Sequence, residues 1–266
     1  MTQRLDQALA ARGLARSRTH AQTLIAQGLV TVDGRAVVKA SAPVDDAAEI
    51  GLAGADHYVS RAAHKLLAGL DAFAVPVAGR LALDMGASTG GFTQVLRERG
   101  ADPVIAVDVG HDQLAAEIAA DPGVIAIEGF NVRYMTAASL REVSGIEAAP
   151  QLICGDLSFI SLHHVLPAVA AVAAPAADVV LLVKPQFEVG RTAVRGGLVT
   201  DPALRSEAVA DVLWAAWDVG LGTHGVIPSP VVGTHGNREY VVHLISGSEG
   251  NPTEWTGIVN AATGST

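Results

Sequence analysis

At 266 residues the chain is long enough for one large domain, or for a large domain with a small companion, and half of its residues are apolar, which excludes extensive disorder. A single cysteine, Cys154, excludes an internal disulfide and a cysteine-built metal cluster; with the other histidines scattered and His163-His164 on different helix faces, no metal is expected. The positive mean hydropathy, +0.35, comes largely from alanine and valine, and the longest apolar run, 165–177, contains Pro167 and Pro175 and falls short of the ~20 residues of a spanning helix, so no stable membrane insertion is expected. Arginines at 4, 12, 16 and 18 stand where a secretory signal would be apolar, so the expected compartment is the cytoplasm.

The net charge of −9 is unevenly divided. Through residue 40, six basic residues (Arg4, Arg12, Arg16, Arg18, Arg35, Lys39) face two acidic ones (Asp6, Asp33), a surplus of four that leaves −13 for the remainder. A basic head on an acidic body is where a polyanion would be gripped first.

In chain order, residues 4–11 read as a helix with Leu5 and Leu9 on one face, ended by Gly13. Ser17 suits the N-cap of a second helix, 18–27, whose Ala21, Leu24, Ile25 and Gly28 form an apolar stripe. Val30 and Val32 then run through Asp33-Gly34, a tight hairpin turn, into Val37-Val38. Residues 40–55, small and acidic with Pro43, Gly51 and Gly54, read as a linker, so the first domain is placed at 1–55. Arg4-Leu5-Asp6, Ser17-Arg18, Ala21, Leu24-Ile25, Gly28-Leu29-Val30, Val32-Asp33-Gly34 and Lys39 together resemble the S-four-like RNA-binding module. That resemblance implies an RNA partner whose phosphates meet Arg4, Arg16, Arg18 and Lys39, contacts that position a protein without reading sequence.

The second domain is placed at 56–246. Its first strand, Leu81 to Met85, enters Gly86-Ala87-Ser88-Thr89-Gly90-Gly91 and then a helix from Phe92 to Arg99. Such a turn brings backbone N–H groups close to a ligand. It is neither GxGxxG nor a phosphate loop, and Asp84 at its entrance suits a ligand with a positive amino group. A second strand, 104–107, ends in Asp108, where a carboxylate can accept both hydroxyls of a ribose. A third, 124–127, leads to Glu128 and Asn131, placed towards an adenine, although asparagine equally favours turns. The succession resembles the S-adenosylmethionine-dependent methyltransferase fold. It implies S-adenosylmethionine as cofactor, held by Asp84, Gly86, Ser88, Thr89, Gly90, Gly91, Phe92, Asp108 and Asn131.

Four charged residues stand where apolar ones would cost less. Lys65 lies in a helix before the first strand; Asp156 follows the strand Leu152 to Cys154; Lys184 ends Val179 to Val183; Glu239 opens Tyr240 to Ile245. In a parallel sheet, Asp156 and Lys184 fall at the ligand-binding edge, and an antiparallel last strand puts Glu239 there too. Two lysines and two carboxylates then converge on the methyl donor. Lys184 is the candidate base, Lys65 the neighbouring cation, and Asp156 and Glu239 hold the geometry. These four match the Lys-Asp-Lys-Glu set of the FtsJ-like ribose 2′-O-methyltransferases, and with the small first domain the chain resembles the TlyA group of that family. The resemblance implies methylation of ribosomal RNA at a cytidine 2′-hydroxyl, with ribosomal RNA or ribosomal subunits as partners. The family joins its domains through an aromatic and a basic residue; here the stretch is Asp56-His57-Tyr58-Val59. Phe187, in Gln186-Phe187-Glu188, suits either a stacked base or the core.

Base amine methylation is disfavoured because Asp156-Leu157-Ser158-Phe159 has no prolines, and ring-carbon methylation because Cys154 lies inside an apolar strand. A membrane-acting haemolysin would need an amphipathic or spanning segment. A non-catalytic RNA-binding factor would be expected to have lost part of the tetrad. The expected architecture is α/β: a Rossmann-like methyltransferase domain with a mixed seven-stranded sheet, preceded by a small α+β RNA-binding domain. Residues 247–266 read as a frayed tail.

Overall fold

The computed structural model describes residues 2–15, 17–26, 29–37, 39–52, 57–190, 194, 196–233 and 236–265. Two compact units divide the chain, Met1–His57 and Tyr58–Thr266.

The first unit contains β1 (Thr2–Arg4), α1 (Leu5–Ala11), α2 (Arg18–Ala26), β2 (Val30–Val32), β3 (Arg35–Ala36), β4 (Pro43–Asp45) and β5 (Ile50–Leu52). Leu5, Leu9, Ala21, Ile25, Val30 and Val44 close its core. Ser17 caps α2, its Oγ accepting from the His20 backbone N–H, and Asp33 and Gly34 both take positive φ (49° and 76°), as a two-residue hairpin turn between right-twisted strands requires. Two expectations are corrected. Arg4 belongs to β1 and α1 starts at Leu5. The stretch read as a linker holds two strands: β4 pairs with β1, and β5 pairs with β2. Each is three residues long, too short for a period of two to show. Arg12 secures the turn between them, donating to the backbone oxygens of Asp45, Asp46 and Ala48.

The second unit runs through α3 (Ala63–Ala72), β6 (Ala82–Met85), α4 (Gly91–Glu98), β7 (Val104–Val107), α5 (Ala116–Ala119), β8 (Val124–Ile127), α6 (Ala137–Ser144), β9 (Leu152–Gly155), α7 (Leu166–Val172), β10 (Asp178–Val183), α8 (Pro185–Glu188), α9 (Pro202–Asp218), β11 (Leu221–Pro228), β12 (Tyr240–Ser246) and α10 (Thr256–Thr263). Its seven strands lie in the order β11-β12-β10-β9-β6-β7-β8. β8, β7, β6, β9 and β10 are parallel, and β12 is antiparallel to both of its neighbours. Both faces of the sheet are covered, which is why its central strands are apolar throughout. Alternate residues sort to the two sides: Leu83, Val179, Leu181 and Val183 pack with α7 and α9, while Ala82, Val180 and Leu182 pack with α3 and α4. Strand order reverses between β6 and β9, and the crevice beyond that point is where such sheets bind ligands.

The tail expected to fray is folded. Asn251 caps a 3₁₀ turn, and α10 buries Val259 and Thr263. Trp255, Val259 and Ala262 form a helical stripe against the core, and the Thr263 carbonyl accepts from the buried Arg205 guanidinium at 3.0 Å. The interspersed polar residues hide that stripe in the sequence.

Candidate active site

The site grows from the carboxyl ends of β6, β7, β9 and β10. Gly86 leaves β6 with φ 79°, a conformation costly for a side chain, and a Cβ there would lie 3.0 Å from the Leu157 side chain and 3.4 Å from the Asp156 backbone oxygen. The turn is held from β7: Asp108 accepts from the Ser88 N–H at 2.8 Å and the Gly110 N–H at 2.7 Å.

Asp84 lies beneath the turn, fully buried, and does not line the cavity above it. Its Oδ2 accepts from the Thr93 hydroxyl at 2.6 Å, and its Oδ1 has no partner. Burial, opposed by the Thr93 hydrogen bonds, pushes its carboxyl up to about 7. An unpartnered buried carboxylate oxygen beside a glycine turn fits a ligand with a cationic amino group, and the Asp108 strand end fits a ribose.

Lys65, Asp156, Lys184 and Glu239 meet although they are far apart in the chain. Lys65 Nζ donates to Glu239 Oε2 at 2.7 Å and to Asp156 Oδ2 at 2.9 Å. Lys184 Nζ is paired with Asp156 Oδ1 at 2.7 Å and donates to Ser158 Oγ at 2.8 Å. Burial alone would lower the Lys65 ammonium, but its two carboxylates outweigh burial and raise it. Burial would likewise raise Asp156, yet the flanking Lys184 and Lys65 hold it below the usual carboxylate range. The antiparallel entry of β12 delivers Glu239 to this edge.

These groups line a cavity of 240 Å³ together with Gly86, Ala87, Ser88, Thr89, Gly91 and Phe92. A second, of 380 Å³, is lined by Ser158, Phe159, Lys184, Gln186, Phe187, Asn237 and Glu239. A third, of 20 Å³, lies against Ala87, Ser88, Asp108 and Glu128. Lys184, Ser158 and Glu239 are walls of the first two, so the two cavities meet along these side chains. In the second, Phe159 and Phe187 face each other at 5.4 Å between ring centroids, tilted by 50°. The arrangement can hold a nucleoside on one side of Lys184 and a stacked base on the other.

Other expected residues stand elsewhere. Asn131 is exposed, and its Oδ1 accepts from the Arg133 N–H as the cap of a 3₁₀ turn; Glu128, not Asn131, reaches the third cavity. In the first unit, Arg4, Arg18 and Gln22 all donate to the buried Asp6 carboxylate, both arginine side chains are about half exposed, and Lys39 is exposed. Arg16 and Asp56 lie outside the described residues. Sequence reasoning missed Ser158 as the partner of Lys184. Its signal was the spacing: a hydroxyl two residues after the strand-end carboxylate.

Comparison with known proteins agrees with this geometry. The S4 domain pattern matches residues 3–50 and the FtsJ-like methyltransferase pattern residues 58–245. The 16S/23S rRNA (cytidine-2′-O)-methyltransferase TlyA of Mycobacterium tuberculosis is 47% identical over 244 residues, 91% of this chain and 89% of that protein. Hemolysin A of Brachyspira hyodysenteriae is 36% identical over 243 residues, 91% and 99% of the two chains. The solved structure of a protein named as a hemolysin from Streptococcus thermophilus superposes with a TM-score of 0.76 at 36% identity, covering 98% of this chain and 95% of that one. With an S4 domain ahead of its seven-stranded unit, the chain therefore belongs to the FtsJ-like methyltransferase family, in its TlyA group, and is an S-adenosylmethionine-dependent methyltransferase.

Proposed function

We propose that this enzyme methylates the ribose 2′-hydroxyl of a cytidine in ribosomal RNA, acting in the cytoplasm on the RNA or on a ribosomal subunit, with Lys65, Asp156, Lys184 and Glu239 as its catalytic group. The observation that carries the reading is Lys184 in the lining of two cavities, one against the glycine turn and the other walled by Phe159 and Phe187. The 47% identical relative is named for the same substrate.

The cofactor supplies an electrophilic methyl group on sulfonium. Gly86, Ser88, Thr89, Gly90, Gly91, Phe92 and Asp108 are the residues to hold it, above the buried Asp84, with Glu128, of the two residues expected near the adenine, in the cavity wall. A ribose hydroxyl attacks well only as its proton leaves, and Lys184, once its ammonium has lost a proton to solvent, is placed to take the hydroxyl proton. Lys65, bound by two carboxylates, keeps its own proton and serves as a fixed cation. Asp156 stays ionised and spaces the two lysines, while Glu239 ties Lys65 to the sheet edge. Much of the rate comes from holding the hydroxyl against the methyl group. In the first unit, Arg4, Arg18 and Lys39 meet RNA phosphates, the first two aimed by Asp6.

The test is transfer of radiolabelled methyl to ribosomal RNA followed by digestion to nucleosides. Label in 2′-O-methylcytidine is expected; label on a base, or in another nucleoside alone, refutes the assignment. The hemolysin names of two relatives point to membranes, but among the described residues no helix is long and apolar enough to cross one. Dye release from liposomes at matched concentration tests that alternative, and no release is expected.

A further inference from the structure

Glu188 ends α8, the single turn that follows Lys184, and it touches neither the tetrad nor the glycine turn. Its carboxylate instead reaches across to the segment after β9. Glu188 Oε2 accepts from the Ser161 hydroxyl at 2.6 Å and Oε1 from the Leu162 backbone N–H at 3.0 Å. Ser161 in turn caps the 3₁₀ turn Leu162–His164, its Oγ accepting from the His163 N–H at 3.2 Å. A carboxylate at the start of a helical turn, bonded to both a hydroxyl and a backbone N–H, is a firm anchor.

The anchored segment is the arch 156–161. It carries Asp156, Ser158 and Phe159, and Phe159 is 91% exposed with φ 64°, a left-handed backbone that a phenylalanine adopts only when its surroundings impose it. One foot of the arch is tied by Lys184 to Asp156 and Ser158, and the other by Glu188 to Ser161 and Leu162. Phe187, between the two ties in the chain, meets Phe159 at the crown.

We infer that Glu188 is a positioning residue for methyl transfer, a latch that holds the arch in register with the β10 end so that Ser158 stays on Lys184 and Phe159 stays over the substrate cavity. The inference rests on the methyl-transfer reading above and explains why Gln186-Phe187-Glu188 follows the catalytic lysine. Glu188 acts through Ser161 and Leu162, so it governs the seating of the nucleotide and not the binding of the methyl donor.

The experiment uses the full chain and the ribosomal RNA substrate. Glu188→Ala is expected to lower kcat about tenfold or more, since an ångström of misplacement at the reacting atoms carries such a loss. The melting temperature and the affinity for S-adenosylhomocysteine, measured by calorimetry, are expected to stay near wild type. Glu188→Gln, whose amide can accept from Leu162 and donate to Ser161, is expected to recover most of kcat. Ser161→Ala removes one tie without leaving a bare charge, is expected to lower kcat severalfold, and should add little to Glu188→Ala because both act in one latch. If Glu188→Ala fails to fold, the Gln and Ser161 variants carry the test. Unchanged kcat in Ser161→Ala and in a folded Glu188→Ala overturns the inference, as does a loss matched by weaker cofactor binding or lower stability. Absence of methylation by the wild type would instead refute the functional reading itself.

Discussion

The two ends of the second unit's sheet carry the same electrostatic device with different consequences. At the carboxyl end Asp156 sits between Lys65 and Lys184; at the amino end Asp178, the first residue of β10, sits between Arg80 and His243, the latter at 2.7 Å. Burial would raise both carboxyls, and in both the flanking basic side chains outweigh it and hold the group below the usual range. What separates them is access. Lys184 and Lys65 open on a cavity of 240 Å³, whereas His243 is roofed by Phe73, stacked on it at 5.4 Å with 19° between the planes. A buried carboxylate held between two basic side chains is therefore no mark of a site by itself. Strand polarity and open space decide which one does chemistry and which one fastens the sheet.

Lys184→Ala cuts deepest into that contrast. Loss of the base is expected to lower kcat by about 10²–10⁴-fold with cofactor affinity intact, read by single-turnover methyl transfer and calorimetry. Near-wild-type turnover would place the proton acceptor elsewhere. Asp178→Ala should do the reverse. Removing the shared partner of a buried pair costs about 3 kcal/mol, seen in urea unfolding, while kcat per folded molecule holds. A folded but inactive Asp178→Ala would erase the distinction between the two ends.

Asp84 offers a test within the site. Its folded value of about 7 lies above its ordinary 3.8, so the folded state keeps a proton that the unfolded chain releases between those values. Its contribution therefore weakens across that window and is lost as the pH rises through about 7. Between pH 6 and 8 the wild-type melting temperature should fall by about a few degrees relative to Asp84→Asn, which carries no such charge. Parallel curves would show Asp84 ionised throughout. The smallest effect belongs to the first unit, whose Asp6 repeats the motif with its arginines turned half outward. Lys39→Ala should weaken RNA binding severalfold and reduce the salt slope by about 1, checked by titration at several salt concentrations.

Much of the site was legible because its residues break a pattern. A lysine closing five consecutive apolar strand residues, or aspartates ending two such strands, is expensive unless it is used, so Lys184, Asp156 and Asp108 stood out. Ser158 and Glu188 did not, because a serine in a loop and a glutamate in a single helical turn look like ordinary solvated residues until their partners are known. Asn131 suited a ligand or a turn equally by residue type, and the structure shows its Oδ1 capping a turn. β4, β5 and α10 escaped because strands of three residues and a helix with polar interruptions carry too little periodicity.

The chain by itself determined the apolar strands that build most of the sheet, the glycine turn and the four charged residues of the site, since these depend on local period and on the cost of a charge in an apolar run. Only the tertiary structure decided how that charge is shared. Lys65 and Glu239 are 174 positions apart, and the antiparallel insertion of β12 is what brings them within 2.7 Å. That pairing leaves one lysine locked between two carboxylates and the other facing both cavities, because burial and partnership belong to packing across the sheet, not to neighbours in sequence.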